Sequence, residues 1–327
     1  MRAIRSFSFG SRVIAAAAVA VVGAMVVTGC SSSSADSEQT DVRTVASAYG
    51  GIEVPVSPER VVAASYDTPW QLMSLGVKPA AVQDYGKWIS EFTPEQQAFV
   101  DGLPTIGPFG EMNFEAIAAA DPDIIVGDAD EVDQAAFDRL SGIAPTVIVK
   151  GESRGDWKKI TTELAEAIGK TDVLESTRTA YEENLERVRG EYADVIATNK
   201  WIHISLGDAP GAFSVQQPTG AIGNLVVNEL GLAYGPGVPT NYTDAGYASY
   251  PMEQLADILN GVTVVLYPLN ADGSTSAAVQ AVLDDNLFTR LPAAQAGHVF
   301  GLQSSVTDFV TANGWLNEVK TKVFATL

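Results

Sequence analysis

The pattern with the most direct chemical meaning is Gly151-Glu152-Ser153-Arg154-Gly155. It has the G-x-S-x-G spacing that, on a tight strand-to-helix turn, presents a serine hydroxyl to a base. An apolar run ending at Val149 precedes it and an amphipathic stretch from about Asp156 follows, so the context fits. Asp257 or Asp284, then His298, would complete the order Ser, Asp, His. His298 stands in Ala296-Gly297-His298-Val299, just before an apolar run, whereas the base of such a triad comes from a loop after the last strand. Ser153 or Asp156 can instead cap the helix that follows. The other histidine, His203, falls inside the apolar run Trp201 to Leu206 and reads as core. Two histidines and one cysteine, Cys30, leave no Cys/His cluster for zinc and no disulfide. No catalytic residue, metal site or cofactor is expected.

A second group of residues suits binding. Tyr66 and Asp67 follow the run Val61 to Ala64, and Tyr85, Lys87 and Trp88 follow Pro79 to Val82. Phe109 and Asp128 to Asp130 also sit just past apolar runs. In the second half Phe213, Gln216, Tyr242, Tyr267 and Gln303 occupy comparable places. If the runs are parallel strands, these ends converge at the carboxyl edge of a sheet, where α/β proteins hold ligands. Aromatic rings with a few polar groups suit a large, partly apolar ligand. Tyr242, in a tyrosine-bearing stretch reaching Tyr250, also keeps haem open, since tyrosine can ligate haem iron.

These residues need a frame. The chain has 327 residues, 46% hydrophobic and 18% charged, enough for two lobes each with its own core. Its 20 basic and 40 acidic residues give a net charge of −20, without the basic face that nucleic acid requires. Arg2, Arg5 and Arg12 precede an uncharged apolar run from Val13 to Val27, a secretory layout. The run ends at Val27-Thr28-Gly29-Cys30, similar to a lipobox, so residues 1–29 are expected to be removed and Cys30 lipidated, with residues 30–50 as a flexible tether. The cell-envelope location is then outside the membrane, attached through lipid.

Continuous apolar runs alternating with amphipathic stretches predict parallel sheets covered on both faces. One such lobe is expected over residues 51–170 and another over 199–327. Between them, Leu174, Thr177, Tyr181, Leu185, Val188, Tyr192 and Val195 recur at helical steps, predicting one long connecting helix over 171–198, with a bend possible at Gly190. A local repeat marks the two lobes. Phe114-Glu115-Ala116-Ile117-Ala118 leads into Asp123 to Val126, and Met252-Glu253-Gln254-Leu255-Ala256 leads into Val262 to Val265. A carboxylate in a first helical turn is stabilised there in any case.

In this order and spacing, Arg60-Val61-Val62-Ala63, Leu75-Gly76-Val77-Lys78-Pro79, Ile106 to Glu115, Asp121 to Gly127, Tyr250 to Leu255 and Leu291 to Val299 resemble the substrate-binding lipoproteins of ferric-siderophore, haem and vitamin B12 ABC importers. The resemblance spans nearly all of residues 52–327. It implies two α/β lobes with a ligand cleft between them, joined by a single long helix. It further implies a monomer that delivers its ligand to an ABC permease, with ATP hydrolysed by separate subunits. In relatives one glutamate per lobe meets permease arginines, and the matching positions are Glu115 and Glu253. A ferric siderophore is the expected ligand. Few bases near the cleft, Lys87 with Arg139 or Arg154, favour a neutral hydroxamate over an anionic catecholate. Haem or cobalamin binding is the alternative within the family, and a serine hydrolase using Ser153 the alternative outside it.

Overall fold

A computed structural model describes residues 41–327 other than Arg154, Asp244 and Ser304. The leader, Cys30 and the first part of the tether lie outside the described residues.

The described chain begins with a hairpin, β1 (Val42–Ser47) and β2 (Gly50–Pro55), paired antiparallel through the register Ser47 to Gly50. Part of the expected tether is therefore folded. The Ser47 hydroxyl donates to the Ile148 carbonyl at 3.1 Å and accepts from the Ile148 N–H at 3.0 Å. Arg43 donates to the Ala167 carbonyl at 2.9 Å.

The N-terminal lobe continues through β3 (Val61–Ala63), α1 (Thr68–Ser74), β4 (Val82–Asp84), α2 (Pro94–Val100), β5 (Thr105–Pro108), α3 (Phe114–Ala119), β6 (Ile124–Asp128), α4 (Gln134–Ser141), β7 (Thr146–Val149) and α5 (Trp157–Ala167). Strands β3, β6 and β7 pair in parallel in that order, and β4 pairs in parallel with β5. A parallel bridge between Val62 and Ala81 links the two sets. Val61, Val62, Ile124, Ile125, Val147 and Ile148 are fully buried, as strands covered on both faces require.

The connector is α6 (Thr171–Glu191), followed by α7 (Ala193–Thr198). It is not one helix throughout. The break falls at Tyr192, with φ −115° and ψ 25°, two residues beyond the expected bend at Gly190. The Tyr192 ring packs 5.3 Å from Phe324, so a tertiary contact accompanies the break. The predicted stripe holds within α6, where Leu174, Tyr181, Leu185 and Val188 are buried.

The C-terminal lobe contains β8 (Trp201–Leu206), β9 (Ala212–Gln216), α8 (Ala221–Asn224), β10 (Tyr247–Pro251), α9 (Leu255–Ile258), β11 (Val264–Leu269), α10 (Ala277–Leu283), α11 (Pro292–Gln295), β12 (Val299–Gln303) and α12 (Phe309–Glu318). Its sheet order is β10-β9-β8-β11-β12. Strands β8, β11 and β12 are parallel, while β9 and β10 are antiparallel. Only Gly207 to Gly211 join β8 to β9, too short for a crossover, so antiparallel pairing is forced. The glutamate-bearing turns of the repeat precede β6 and β11, each of which lies between two parallel neighbours.

Candidate ligand cleft

The carboxyl ends of strands from both lobes open into two chambers. The smaller, about 460 Å³, lies between Asp67, Phe109 and Asp128 to Glu131 on one side and Gln216, Ala221 and Tyr247 on the other, with Trp157 and Thr307 also in its wall. The larger, about 810 Å³, lies between α1 and the start of α2 on one side and the ends of β8, β11 and β12 with α10 and α12 on the other. Asp67 and Ser305 belong to both walls, so the chambers are neighbours within one cleft.

The smaller chamber is acidic on its N-terminal side, where Asp67, Asp128, Asp130 and Glu131 all reach the wall. Topology brings them together, because β3 and β6 are adjacent and each ends in an acidic turn. Asp128 Oδ1 accepts from the N–H groups of Asp130 at 3.0 Å and Glu131 at 3.2 Å, holding the loop closed on itself. Glu131 accepts from the Tyr66 N–H at 2.8 Å and the Gln83 amide at 2.7 Å, tying the ends of β3 and β4 to this loop. Burial, then the charges of Glu131, Asp67 and Asp130, push the Asp128 carboxyl up to about 7. Lys150 is the described basic residue in this wall.

An aromatic cluster stands beside the acids. Tyr66, Trp88 and Phe109 meet edge-on, with ring centroids 5.7 to 5.9 Å apart. Phe92 supports Tyr66 from beneath at 5.8 Å. Phe109 is 49% exposed although large and apolar. It is presented to the cleft rather than packed away.

Segment 305–308 crosses the cleft floor and is tied to the N-terminal lobe. The Thr307 carbonyl accepts from the Gln71 amide at 3.3 Å and the Thr161 hydroxyl at 3.1 Å. Asp308 then caps α12, its Oδ1 accepting from Val310 at 2.8 Å and Thr311 at 3.0 Å. A second joint lies behind. Lys158 of α5 pairs with Glu229 of the C-terminal lobe, and the Tyr181 hydroxyl of α6 donates to the same carboxylate at 2.9 Å.

The residues expected to bind ligand divide into three groups. Tyr66, Phe109, Gln216 and Gln303 line the chambers. Trp88 packs edge-on against Tyr66 and Phe109, and the exposed Lys87 holds its ammonium 5.0 Å from the Trp88 ring, with neither residue in a chamber wall. The remaining four do not line the chambers. Tyr85 is only 4% exposed and donates its hydroxyl to the Tyr66 carbonyl at 2.5 Å, which makes it a support for Tyr66. Phe213 is fully buried against Tyr250 because its side of β9 faces the core. Tyr267 is half-buried against the same core, and its successors Pro268 and Leu269 reach the larger chamber instead. Tyr242 is exposed outside both chambers. Trp157 and segment 305–307 carry no signal in the sequence, and Tyr247 is marked there only as part of the stretch from Tyr242 to Tyr250. Trp157 opens a helix and Tyr247 sits on an antiparallel strand, so neither carries the strand-end signal.

The hydrolase arrangement is not assembled. Ser153 lines the cleft, and its Oγ accepts from the Gly155 N–H at 3.2 Å. His298 precedes β12, whereas the cleft lies past the other end of that strand, roughly 16 Å away at about 3.3 Å per residue. His203 is buried within β8, and burial holds its imidazole down at about 3. Glu115 and Glu253 are exposed, each in the first turn of its short helix. Among the described residues no helix is long and apolar enough to cross a membrane.

Known proteins share this architecture. The siderophore periplasmic binding protein from the fuscachelin gene cluster of Thermobifida fusca superposes with a TM-score of 0.74 at 25% identity, covering 84% of this chain and 99% of its own. The petrobactin-binding protein YclQ of Bacillus subtilis is 25% identical over 300 residues, 88% of this chain and 90% of that protein. The iron(3+)-hydroxamate-binding protein YxeB of the same organism is 27% identical over 203 residues, 62% of this chain and 60% of that protein. The periplasmic binding protein family matches residues 61–306, most of both lobes and the connector between them, and the chain belongs to that family.

Proposed function

We propose that this protein is the solute-binding component of an ABC importer, capturing a ferric siderophore in the interlobe cleft and delivering it to a membrane permease. The observation that carries this reading is the cleft itself, where strand ends of both lobes converge beside the aromatic group Tyr66, Trp88 and Phe109. Relatives that bind iron(3+)-hydroxamate and petrobactin support it. As a periplasmic binding protein the chain works outside the cytoplasmic membrane, and we infer lipid anchoring at Cys30 from the sequence. Iron would arrive already ligated by its chelator, so the protein's task is to recognise the chelate's outer surface. Four acids in the smaller chamber favour a neutral or cationic chelate over a polyanionic one, by direct charge repulsion. Haem loses its motive, since Tyr242 lies outside both chambers. With His298 at the far end of β12, the order Ser, Asp, His does not close on Ser153, and we read binding rather than catalysis here. Glu115 and Glu253, one per lobe, would meet the permease.

Trp70, Trp157 and Trp315 line the cleft, so tryptophan emission reports on ligand entry. Titration with a ferric trihydroxamate, a ferric triscatecholate, haemin and cyanocobalamin should give saturable quenching by the trihydroxamate at submicromolar concentration. Saturable binding of haemin or cyanocobalamin alone would overturn the siderophore reading.

A further inference from the structure

The two chambers differ in chemistry. Four acids gather in the smaller one, while the larger sets the apolar side chains of Trp70, Met73, Phe92, Leu206, Val310 and Trp315 among polar groups such as Gln96, Ser205 and Asn270. Two of these, Leu206 at 51% and Val310 at 48%, are among the most exposed large hydrophobic residues described, one from the end of β8 and one from the start of α12. Of the carboxylates in the larger chamber's wall, Asp67 is shared with the acidic chamber and the other two are committed elsewhere. Asp308 caps α12, and Glu318 accepts from the Gln303 N–H at 2.8 Å and pairs with Lys322 at 2.7 Å. Gly314 adds an independent sign. It stands inside α12, where glycine is a poor helix former. Its backbone is not in the left-handed region, and a Cβ placed there would meet nothing within 4 Å. Neither backbone nor packing calls for glycine at this position. What glycine does there is leave volume in the chamber wall.

We propose that the larger chamber is a separate subsite that takes an apolar arm, aliphatic or aromatic, carried by the chelate whose polar centre occupies the acidic chamber. The proposal rests on the siderophore reading for the identity of the chelate, but not for the apolar character of the subsite. Continuity through Asp67 and Ser305 lets one molecule span both chambers. At about 810 Å³ the larger chamber has room for an arm of drug-like size.

Two measurements test it. The first uses N-phenyl-1-naphthylamine, a neutral apolar dye, with energy transfer from tryptophan as the signal. The protein should bind one dye saturably, and Gly314→Phe, which fills the chamber from its wall, should weaken the dye at least tenfold without lowering Tm. Non-saturable dye binding, or equal binding by wild type and Gly314→Phe, would overturn the subsite. The second compares one ferric trihydroxamate N-acylated with two or with ten carbons. The ten-carbon form should bind at least tenfold tighter to wild type, and this advantage should vanish in Gly314→Phe. Equal affinity for the two forms in wild type would refute the arm. Saturable dye binding that Gly314→Phe abolishes, with neither chelate bound, would uphold the apolar subsite and reject the siderophore reading.

Discussion

Asp128 offers a test in which the sign of the effect is as informative as its size. Its carboxyl is pushed from 3.8 up to about 7 by burial and by Glu131, Asp67 and Asp130. Below pH ~4 the group is protonated in both folded and unfolded chains and contributes nothing. Between pH ~4 and ~7 the unfolded chain has released this proton and the folded chain still holds it, so stability falls as pH rises. Above pH ~7 both are ionised and the penalty is complete. At about 1.36 kcal/mol per pH unit the ceiling is ~4 kcal/mol. The repulsion is shared among four acids and the site opens to solvent, so about 1–2 kcal/mol is expected. Asp128→Asn removes the titration while its Oδ1 can still accept from Asp130 and Glu131. Urea unfolding should therefore show the variant about 1–2 kcal/mol more stable at pH 8, with Tm raised by roughly 2–4 °C. At pH 4 the two proteins should agree within about 0.5 kcal/mol, since the folded chain then holds the proton and the unfolded chain has only begun to release it. A variant less stable at pH 8, or a difference that does not change with pH, would refute the reasoning.

Further outcomes follow from the same structure. Phe109→Ala should weaken ferric trihydroxamate binding by about 1–3 kcal/mol by calorimetry, because the ring is exposed in the cleft wall. Trp88→Ala should cost less, since Trp88 acts by bracing Phe109 and Tyr66; a larger loss than Phe109→Ala would reverse that assignment. Glu115→Ala and Glu253→Ala should lower cellular uptake with solution affinity unchanged, and Lys at either position should be worse; normal uptake would leave both acids as helix-end features worth about 0.3–1 kcal/mol. Cys30→Ala should yield an unprocessed or released protein by intact mass and membrane fractionation, and an unchanged membrane fraction would exclude lipidation. Ser153 should not react with a fluorophosphonate, and stoichiometric labelling lost in Ser153→Ala would restore the hydrolase reading.

The sequence was most legible where local pattern and final environment coincide. Val61 to Ala63 and Ile124 to Val126 are continuous apolar runs, and parallel strands covered on both faces want nothing else. Tyr66 and Phe109 line the chambers because each follows a strand end, a place that sequence can locate. Phe213 lies in the core for the complementary reason. Its strand is antiparallel, so alternation rather than strand-end position decides which side chains reach the cleft, and its own faces the core. The hairpin Val42 to Pro55 is hard to read because its strands are short, mixed in polarity and mostly half-buried or exposed, held by long-range bonds such as Arg43 to Ala167. The acidic chamber lay between these cases. Asp67 and Asp128 were each visible at a strand end, but their mutual repulsion depends on the adjacency of β3 and β6, which is a property of topology.

The joints between the lobes bear on how the cleft selects its ligand. Gln71 and Thr161 of the N-terminal lobe hold the Thr307 carbonyl, while Lys158 and Tyr181 converge on Glu229. These contacts sit at the floor of the cleft and behind it, so opening the lobes widely would break them, at about 0.5–1.5 kcal/mol for each hydrogen bond lost. A ligand has only its differential affinity for open and closed forms with which to meet that cost. The economical arrangement is therefore a cleft whose chambers are formed beforehand. Recognition then rests on surfaces already in place, the acidic turn after β6, the aromatic cluster after β3 and β5, and the apolar chamber that Gly314 keeps open.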